Sequence, residues 1–356
     1  METDKLTHGG DWAGFETEYG KEPLDFSMNV NPLGISMHTR LAISKAGGKA
    51  YRYPDPLCRQ LRAKLSLHEC VPSSWIYCGN GAADIIYRLA AVMEPARLLV
   101  TSPTFSEYET AFAANGWEVS HYRLREDNGF RLDKGFIDAI DERVSAVFLC
   151  EPNNPTGVTT ERELLIEILQ FCRDRGIMLI IDECFNGFLE EPAEHSMINF
   201  LPEYDKLVIL KAFTKLYGMA GIRLGYCLCS NCDLTGGLYR YGAPWNVSSL
   251  AQEAGIAALE DRNHVRGGRR IVREQKPWLL DSLKALGITR IYGEANYLFF
   301  RSRPDLAETL RTKGILIRDC SNYPGLEPGW FRIAVKTEKD NRKLVEAMKE
   351  VLQTGD

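Results

Sequence analysis

Val208-Ile209-Leu210-Lys211-Ala212-Phe213-Thr214-Lys215-Leu216-Tyr217-Gly218-Met219-Ala220-Gly221-Ile222-Arg223-Leu224-Gly225-Tyr226 is the stretch on which the reading of this chain turns. The apolar run from Leu207 to Leu210 reads as a buried strand. It delivers Lys215 into a segment that closes on a glycine-bracketed arginine, Gly221-Ile222-Arg223-Leu224-Gly225. Taken alone, a lysine after a strand also reads as a solvated surface charge. Two upstream stretches shift the balance. Ile177-Met178-Leu179-Ile180-Ile181-Asp182-Glu183 is a second buried strand that ends in an acid, and Glu151-Pro152-Asn153-Asn154-Pro155-Thr156-Gly157 follows a third. Asn, Asp and Lys therefore stand at successive strand ends.

Working outward, strands are expected at Trp75 to Cys78, Leu98 to Thr101, Val119 to Tyr122, Val144 to Cys150, Met178 to Asp182, Leu207 to Leu210 and Leu224 to Cys229, with helices between many of them, such as Glu161 to Arg175. This alternation predicts an α/β fold with a mostly parallel sheet covered on both faces. The turn Gly79-Asn80-Gly81-Ala82-Ala83-Asp84 opens a helix, Ile85 to Met93, and so presents free backbone N–H groups to an anion. Beyond Trp245 a long helical region, Ser248 to Leu286, breaks near Asp261-Arg262-Asn263. A smaller α+β unit follows: strand Tyr297 to Arg301, helix Asp305 to Lys313, strands Ile315 to Arg318 and Phe331 to Val335, and helix Lys339 to Leu352. Residues 1–40 form an arm expected to be irregular over its first 35 residues and to pack on that unit; residues 41–250 form the large domain and residues 251–356 the small one.

Composition narrows the function. With 45% hydrophobic and 26% charged residues the chain reads as a soluble globular protein. A net charge of −5 argues against a nucleic-acid partner, whose phosphates call for a basic surface. No apolar run is long enough to span a membrane, and the acidic, polar start Met1-Glu2-Thr3-Asp4 is no signal peptide. Ten cysteines are mostly scattered singly in apolar segments, which suits a reducing cytoplasm. The one cluster, Cys227-Leu228-Cys229-Ser230-Asn231-Cys232, lacks a fourth ligand at metal-site spacing, so no metal is expected.

The Asn154, Asp182 and Lys215 constellation resembles the fold-type I pyridoxal-phosphate enzymes, the aspartate aminotransferase superfamily. The resemblance implies that Lys215 bonds to the aldehyde of pyridoxal 5'-phosphate, that Asp182 pairs with the pyridinium nitrogen and that Asn154 bonds the phenolic oxygen. The residue types suit the chemistry: an amine makes a transferable imine, and a carboxylate keeps the ring nitrogen protonated. It further implies that Tyr108 stacks on the ring, that Arg223, Thr214 and the amides of Gly81, Ala82 and Ala83 hold the cofactor phosphate, and that Tyr53 reaches the neighbouring site of a homodimer. Two positions depart from the family: Phe185 stands where a tyrosine often donates to the phenolic oxygen, and Ala212 replaces a serine or threonine. Each loss removes a hydrogen bond worth about 1 kcal/mol net.

His8-Gly9-Gly10 and Asn29 near one end of the chain and Arg318 near the other, together with Phe185, are similar to the threonine-phosphate decarboxylase family of cobalamin biosynthesis. That resemblance implies that Arg332 grips the substrate α-carboxylate, a group its fork suits, and that His8, Asn29 and Arg318 hold the substrate phosphate. The expected reaction is decarboxylation of threonine phosphate to aminopropanol phosphate, or of serine phosphate to ethanolamine phosphate. The related histidinol-phosphate aminotransferases share the lysine, aspartate and arginine, and amine transfer stays open as the alternative. A non-catalytic regulator would need a fused DNA-binding module, for which the chain has no room.

Overall fold

The computed structural model describes residues 8–353. Its first element corrects the expectation of an irregular arm, because Trp12–Tyr19 is a helix. Asp11 caps it by accepting from the Gly14 N–H, and Gly20 ends it in the left-handed conformation. An eight-residue helix is unstable alone. Docking supplies the remainder: Phe15 is fully buried, with the Arg311 guanidinium 5.3 Å from its ring centroid. Arg311 also donates to Glu18 at 2.8 Å. The arm then adds a short strand, β1 (Leu24–Asp25), in parallel to Ile315–Leu316.

The central sheet contains β2 (Ile76–Gly79), β3 (Arg97–Ser102), β4 (Glu118–Arg123), β5 (Val144–Cys150), β6 (Met178–Asp182), β7 (Leu207–Ala212) and β8 (Gly225–Leu228). Their order is β2-β8-β7-β6-β5-β3-β4, and only β8 runs antiparallel to its neighbours. Strands buried on both faces are near-continuous apolar runs, as here. Leu98 and Val100 face Ile85, Leu89 and Phe112 from helices Ala82–Val92 and Glu107–Ala114. Leu99, Val147 and Leu179 face the other layer, where helices Arg162–Arg175 and Ser249–Glu260 supply Leu165, Ile168 and Ala254. Parallel strands bring their carboxyl ends to one edge of the sheet, where open α/β folds bind ligands.

The small unit is a four-stranded sheet of β9 (Ile291–Tyr292), β10 (Tyr297–Arg301), β12 (Arg318–Asp319) and β13 (Trp330–Ala334), in the order β12-β13-β10-β9, with β11 (Ile315–Leu316) left to pair with β1. The single strand expected over Ile315 to Arg318 is thus two, claimed by different sheets. Helices Arg262–Ala285 and Glu338–Gln353 cover this sheet through Val272, Leu279, Leu344 and Met348. Among the described residues no helix is long and apolar enough to cross a membrane.

Candidate active site

The carboxyl ends of β5, β6 and β7 meet as the sequence suggests. Asp182, the last residue of β6, accepts hydrogen bonds from the Tyr108 hydroxyl at 2.7 Å and the Cys184 N–H at 2.9 Å. Burial raises its pKa, and those two donors work against the rise by favouring the carboxylate. Beyond β7 the one-turn helix Phe213–Leu216 carries Thr214 and Lys215. The Lys215 amine donates to Asn29 Oδ1 at 3.2 Å and lies 5.1 Å from the centroid of the Phe185 ring. Burial, then the nearby positive charge of Arg332, lowers its pKa to about 8. A large fraction of neutral amine at mildly alkaline pH is what bonding to an aldehyde requires.

Arg332 is buried on β13 and ties the two units together. It donates to Asn154 Oδ1, and to the Ser27 carbonyl at 2.9 Å, and its guanidinium carbon lies 5.5 Å from the Tyr297 ring centroid. Its Nε has no hydrogen-bond partner among the described residues, a donor open to an anion. Arg318 lies directly across the β12–β13 ladder from it, so both side chains share one face. Arg318 donates to the Asp319 carbonyl at 2.7 Å and to Asn322 Oδ1 at 2.8 Å.

A second group forms at the start of helix Ala82–Val92. Gly81 precedes it with φ 86°, and a Cβ there would lie 2.5 Å from a guanidinium nitrogen of Arg223. Arg223, itself left-handed at φ 58°, therefore reaches across the free N–H groups of the helix start. On the other side a Cβ at Gly225 would lie 2.6 Å from the Ala82 nitrogen. A cup of backbone donors with an arginine over it suits a phosphate.

The stacking role expected of Tyr108 is corrected. Tyr108 is fully buried, its ring stacked on Phe148 at 3.9 Å between centroids and its hydroxyl spent on Asp182, so no face is left for a ligand. Its work is to hold the aspartate. Phe105, three residues earlier in Pro103-Thr104-Phe105, is half-buried and lies 5.6 Å from the His8 ring. It is the aromatic on this turn with a face to offer, and the sequence reading passed over it. His8 is exposed and meets Glu107 Oε1 at 2.8 Å, a contact that leads in holding that carboxyl below its ordinary range. Asn29 contacts Lys215, so the structure joins Asn29, Lys215, Arg332 and Asn154 in one cluster and sets His8 on the Phe105 turn. Tyr53 stands 79% exposed, stacked on Trp245 at 4.5 Å. Cys227 and Cys229 are buried free thiols, and no group of potential metal ligands occurs among the described residues.

The lysine of lowered pKa, the buried aspartate and the phosphate cup fit pyridoxal phosphate, and with this sheet they define a pyridoxal-phosphate enzyme of fold type I. The chain belongs to the aminotransferase class I and II family, whose model matches residues 21–348. It is 36% identical to the threonine-phosphate decarboxylase of Salmonella typhimurium over 352 residues, which cover 97% of this chain and 96% of that protein. It is 33% identical to the histidinol-phosphate aminotransferase of Symbiobacterium thermophilum over 336 residues, 92% of this chain and 90% of that one. Among solved structures, the histidinol-phosphate aminotransferase of Clostridium acetobutylicum superposes with a TM-score of 0.87 at 30% identity, covering 93% of this chain and 99% of that one.

Proposed function

We propose that this protein removes the α-carboxylate of a small phosphorylated amino acid, L-threonine O-3-phosphate or L-serine O-phosphate, in cobalamin biosynthesis. The observation that carries this reading is the pair Arg318 and Arg332, 8% and 6% exposed and opposite each other on adjacent strands. Like charges so placed repel in a poorly screened site. A substrate with both a carboxylate and a phosphate relieves that repulsion, whereas histidinol phosphate brings one anionic group. The identity to the Salmonella enzyme supports the same choice.

Bound pyridoxal phosphate supplies an electron sink for the bond broken at Cα. Asp182 holds the proton of the ring nitrogen, steadied by Tyr108. Gly81, Ala82 and Ala83 amides with Thr214 and Arg223 hold the cofactor phosphate, and Phe105 covers the ring. Arg332 holds the substrate carboxylate, while Arg318, His8 and Asn29 hold its phosphate. Lys215 would hold the cofactor through its amine, and its Nζ, placed against Asn29, is the group that would hold or deliver a proton at the substrate's Cα. The grip of Arg332 on one anionic group and of Arg318, His8 and Asn29 on the other would fix which substituent of Cα is presented for cleavage. Amine transfer of the histidinol-phosphate type is the second reading, favoured by the Symbiobacterium and Clostridium relatives.

We further propose a cytoplasmic homodimer in which Tyr53 reaches the neighbouring site. Tyr53, Tyr51, Met37 and Leu41 are 79%, 77%, 67% and 62% exposed, large apolar groups of the kind an interface covers. All ten cysteines are free. The deciding experiment incubates the loaded enzyme with threonine phosphate, serine phosphate and histidinol phosphate. Carbon dioxide released from a phosphorylated amino acid is the expected result; amine transfer to an oxoacid with no carbon dioxide would move the reading to the aminotransferase.

A further inference from the structure

The resemblance assigns Asn29 to the substrate phosphate, yet its amide oxygen is engaged elsewhere. Asn29 is 1% exposed, and its Oδ1 accepts from the Lys215 amine at 3.2 Å. Its backbone carbonyl accepts from Asn296 Nδ2 at 3.0 Å. A protonated amine offers donors alone, so the amide turns its oxygen to it and keeps its NH2 for another partner. That NH2 has none among the described residues.

The backbone on either side is held as firmly. Two residues earlier, the Ser27 carbonyl accepts from Arg332 at 2.9 Å. Two residues later, the Asn31 N–H donates to the Lys215 carbonyl at 2.8 Å, and the Asn31 amide to the Leu216 carbonyl at 2.8 Å. Further on, the Gly34 carbonyl accepts from His264 at 2.8 Å, and a Cβ on Gly218 or Gly268 would run into Gly34 or Asn31. The segment is wedged between the lysine turn and helix Arg262–Ala285. A side chain on a support this rigid has a set direction.

We propose that Asn29 is a positioning residue for Lys215, its amide oxygen aiming the released amine while its NH2 stays available to an anionic group of the substrate. The inference rests on the function proposed above, and its test uses no amino-acid substrate. The Lys215 amine is also faced by Asp182, Cys184, Arg332 and Arg223. All four stay constant across variants of Asn29.

The experiment mixes full-length apoprotein with pyridoxal phosphate over a pH series and follows covalent capture by visible absorbance. Borohydride fixation and peptide mass spectrometry place the adduct. Wild-type capture is expected to rise with pH as Lys215, whose pKa burial lowers to about 8, gives up its proton, and the midpoint of that rise is the reference for the variants. Asn29→Ala moves the midpoint down by about half a unit to one unit, because the ammonium form loses an acceptor, and Asn29→Asp moves it up by about one unit or more, because a carboxylate favours the ammonium. Opposite shifts establish the contact. No shift, or shifts of one sign, as from a structural disturbance, overturns the proposal. Asn29→Ser, too short to reach the amine, replaces alanine if that variant does not fold and carries the same expectation. Failure of the wild-type protein to give an adduct on Lys215 would instead strike the cofactor assignment, so the two failures are distinguishable.

Discussion

At the scale of single residues, the site works by burying groups whose ordinary charge states are then negotiated by neighbours. Lys215→Ala removes the amine that donates to Asn29 and feels the charge of Asp182. We expect the variant to bind pyridoxal phosphate in its cup but to give no borohydride-fixable adduct; a persistent adduct in the mutant would defeat the assignment. Glu151 offers a test by pH. It is buried beside Asn153 and Asn154, accepts from the Thr160 N–H at 2.9 Å, and burial raises its pKa from 4.5 to about 7. A raised carboxyl pKa means that the folded chain keeps a proton which the unfolded chain loses, so its contribution is complete below the unfolded value and is lost as pH rises through the folded one. That loss amounts to roughly 3 kcal/mol, spread between about pH 4.5 and pH 7. Glu151→Gln should flatten this part of the stability profile, and thermal unfolding at a series of pH values checks it; parallel profiles would refute it. The buried strands leading to Asp182 and Lys215 were legible as apolar runs, whereas a lysine just past a strand is ambiguous until Asp182 and Asn154 stand at the neighbouring strand ends. Phe105 and Tyr108 were not separable, since they stand three residues apart where the chain enters helix Glu107–Ala114 and only packing against Phe148 decides which ring points inward. The Asn29 contact spans 186 residues and leaves no local signal.

At the scale of elements, the buried parallel strands were the most readable, because continuous apolar runs alternating with amphipathic helices admit one layered arrangement. Elements that depend on distant partners were misread. Helix Trp12–Tyr19 lies in a polar, glycine-rich context, and its docking partner Arg311 is 293 residues from Glu18. The split between β11 and β12 arises because one sheet pairs Leu316 with β1 and another pairs Arg318 with β13, a choice no strand propensity encodes. The junction of β2 with helix Ala82–Val92 gives the prediction proper to this scale. Gly81→Ala places a methyl on a backbone at φ 86° and 2.5 Å from Arg223. The strain costs about 1–2 kcal/mol, and the displaced arginine leaves the phosphate cup. Cofactor affinity should fall by about tenfold or more, each factor of ten being near 1.4 kcal/mol, while the fold persists. Equilibrium dialysis of pyridoxal phosphate measures it, and unchanged affinity would remove Gly81 and Arg223 from the cup.

At the scale of the whole molecule, the arm links the two sheets to the site, and the proposed dimer completes it. Tyr53→Ala should leave sedimentation as a dimer intact, since one residue is a small part of an interface, yet weaken cofactor retention; a monomeric wild-type protein would refute the shared site. The arm divides into two functional parts. From helix Trp12–Tyr19 onward it is bonded into the structure, through buried Phe15, through β1, through the Phe26 carbonyl accepting from the Ala334 N–H at 2.8 Å, and through Ser27 and Asn31. Before that, Gly10 donates to Ser27 Oγ at 2.7 Å and His8 meets Glu107, contacts at the cleft's edge that the core does not need. Deleting residues 1–10 should therefore leave cofactor content and thermal stability near those of the full chain. If His8 helps seat the substrate phosphate as proposed, turnover of threonine phosphate should nevertheless fall. Unphosphorylated threonine should be a poor substrate for both forms, since it leaves Arg318 and Arg332 facing each other with one anion where two belong, a mismatch of a few kcal/mol. Parallel assays of both compounds on both proteins decide the matter. Equal turnover of threonine and threonine phosphate would refute the phosphate site, and a truncated protein that loses its cofactor would show that the first ten residues belong to the scaffold.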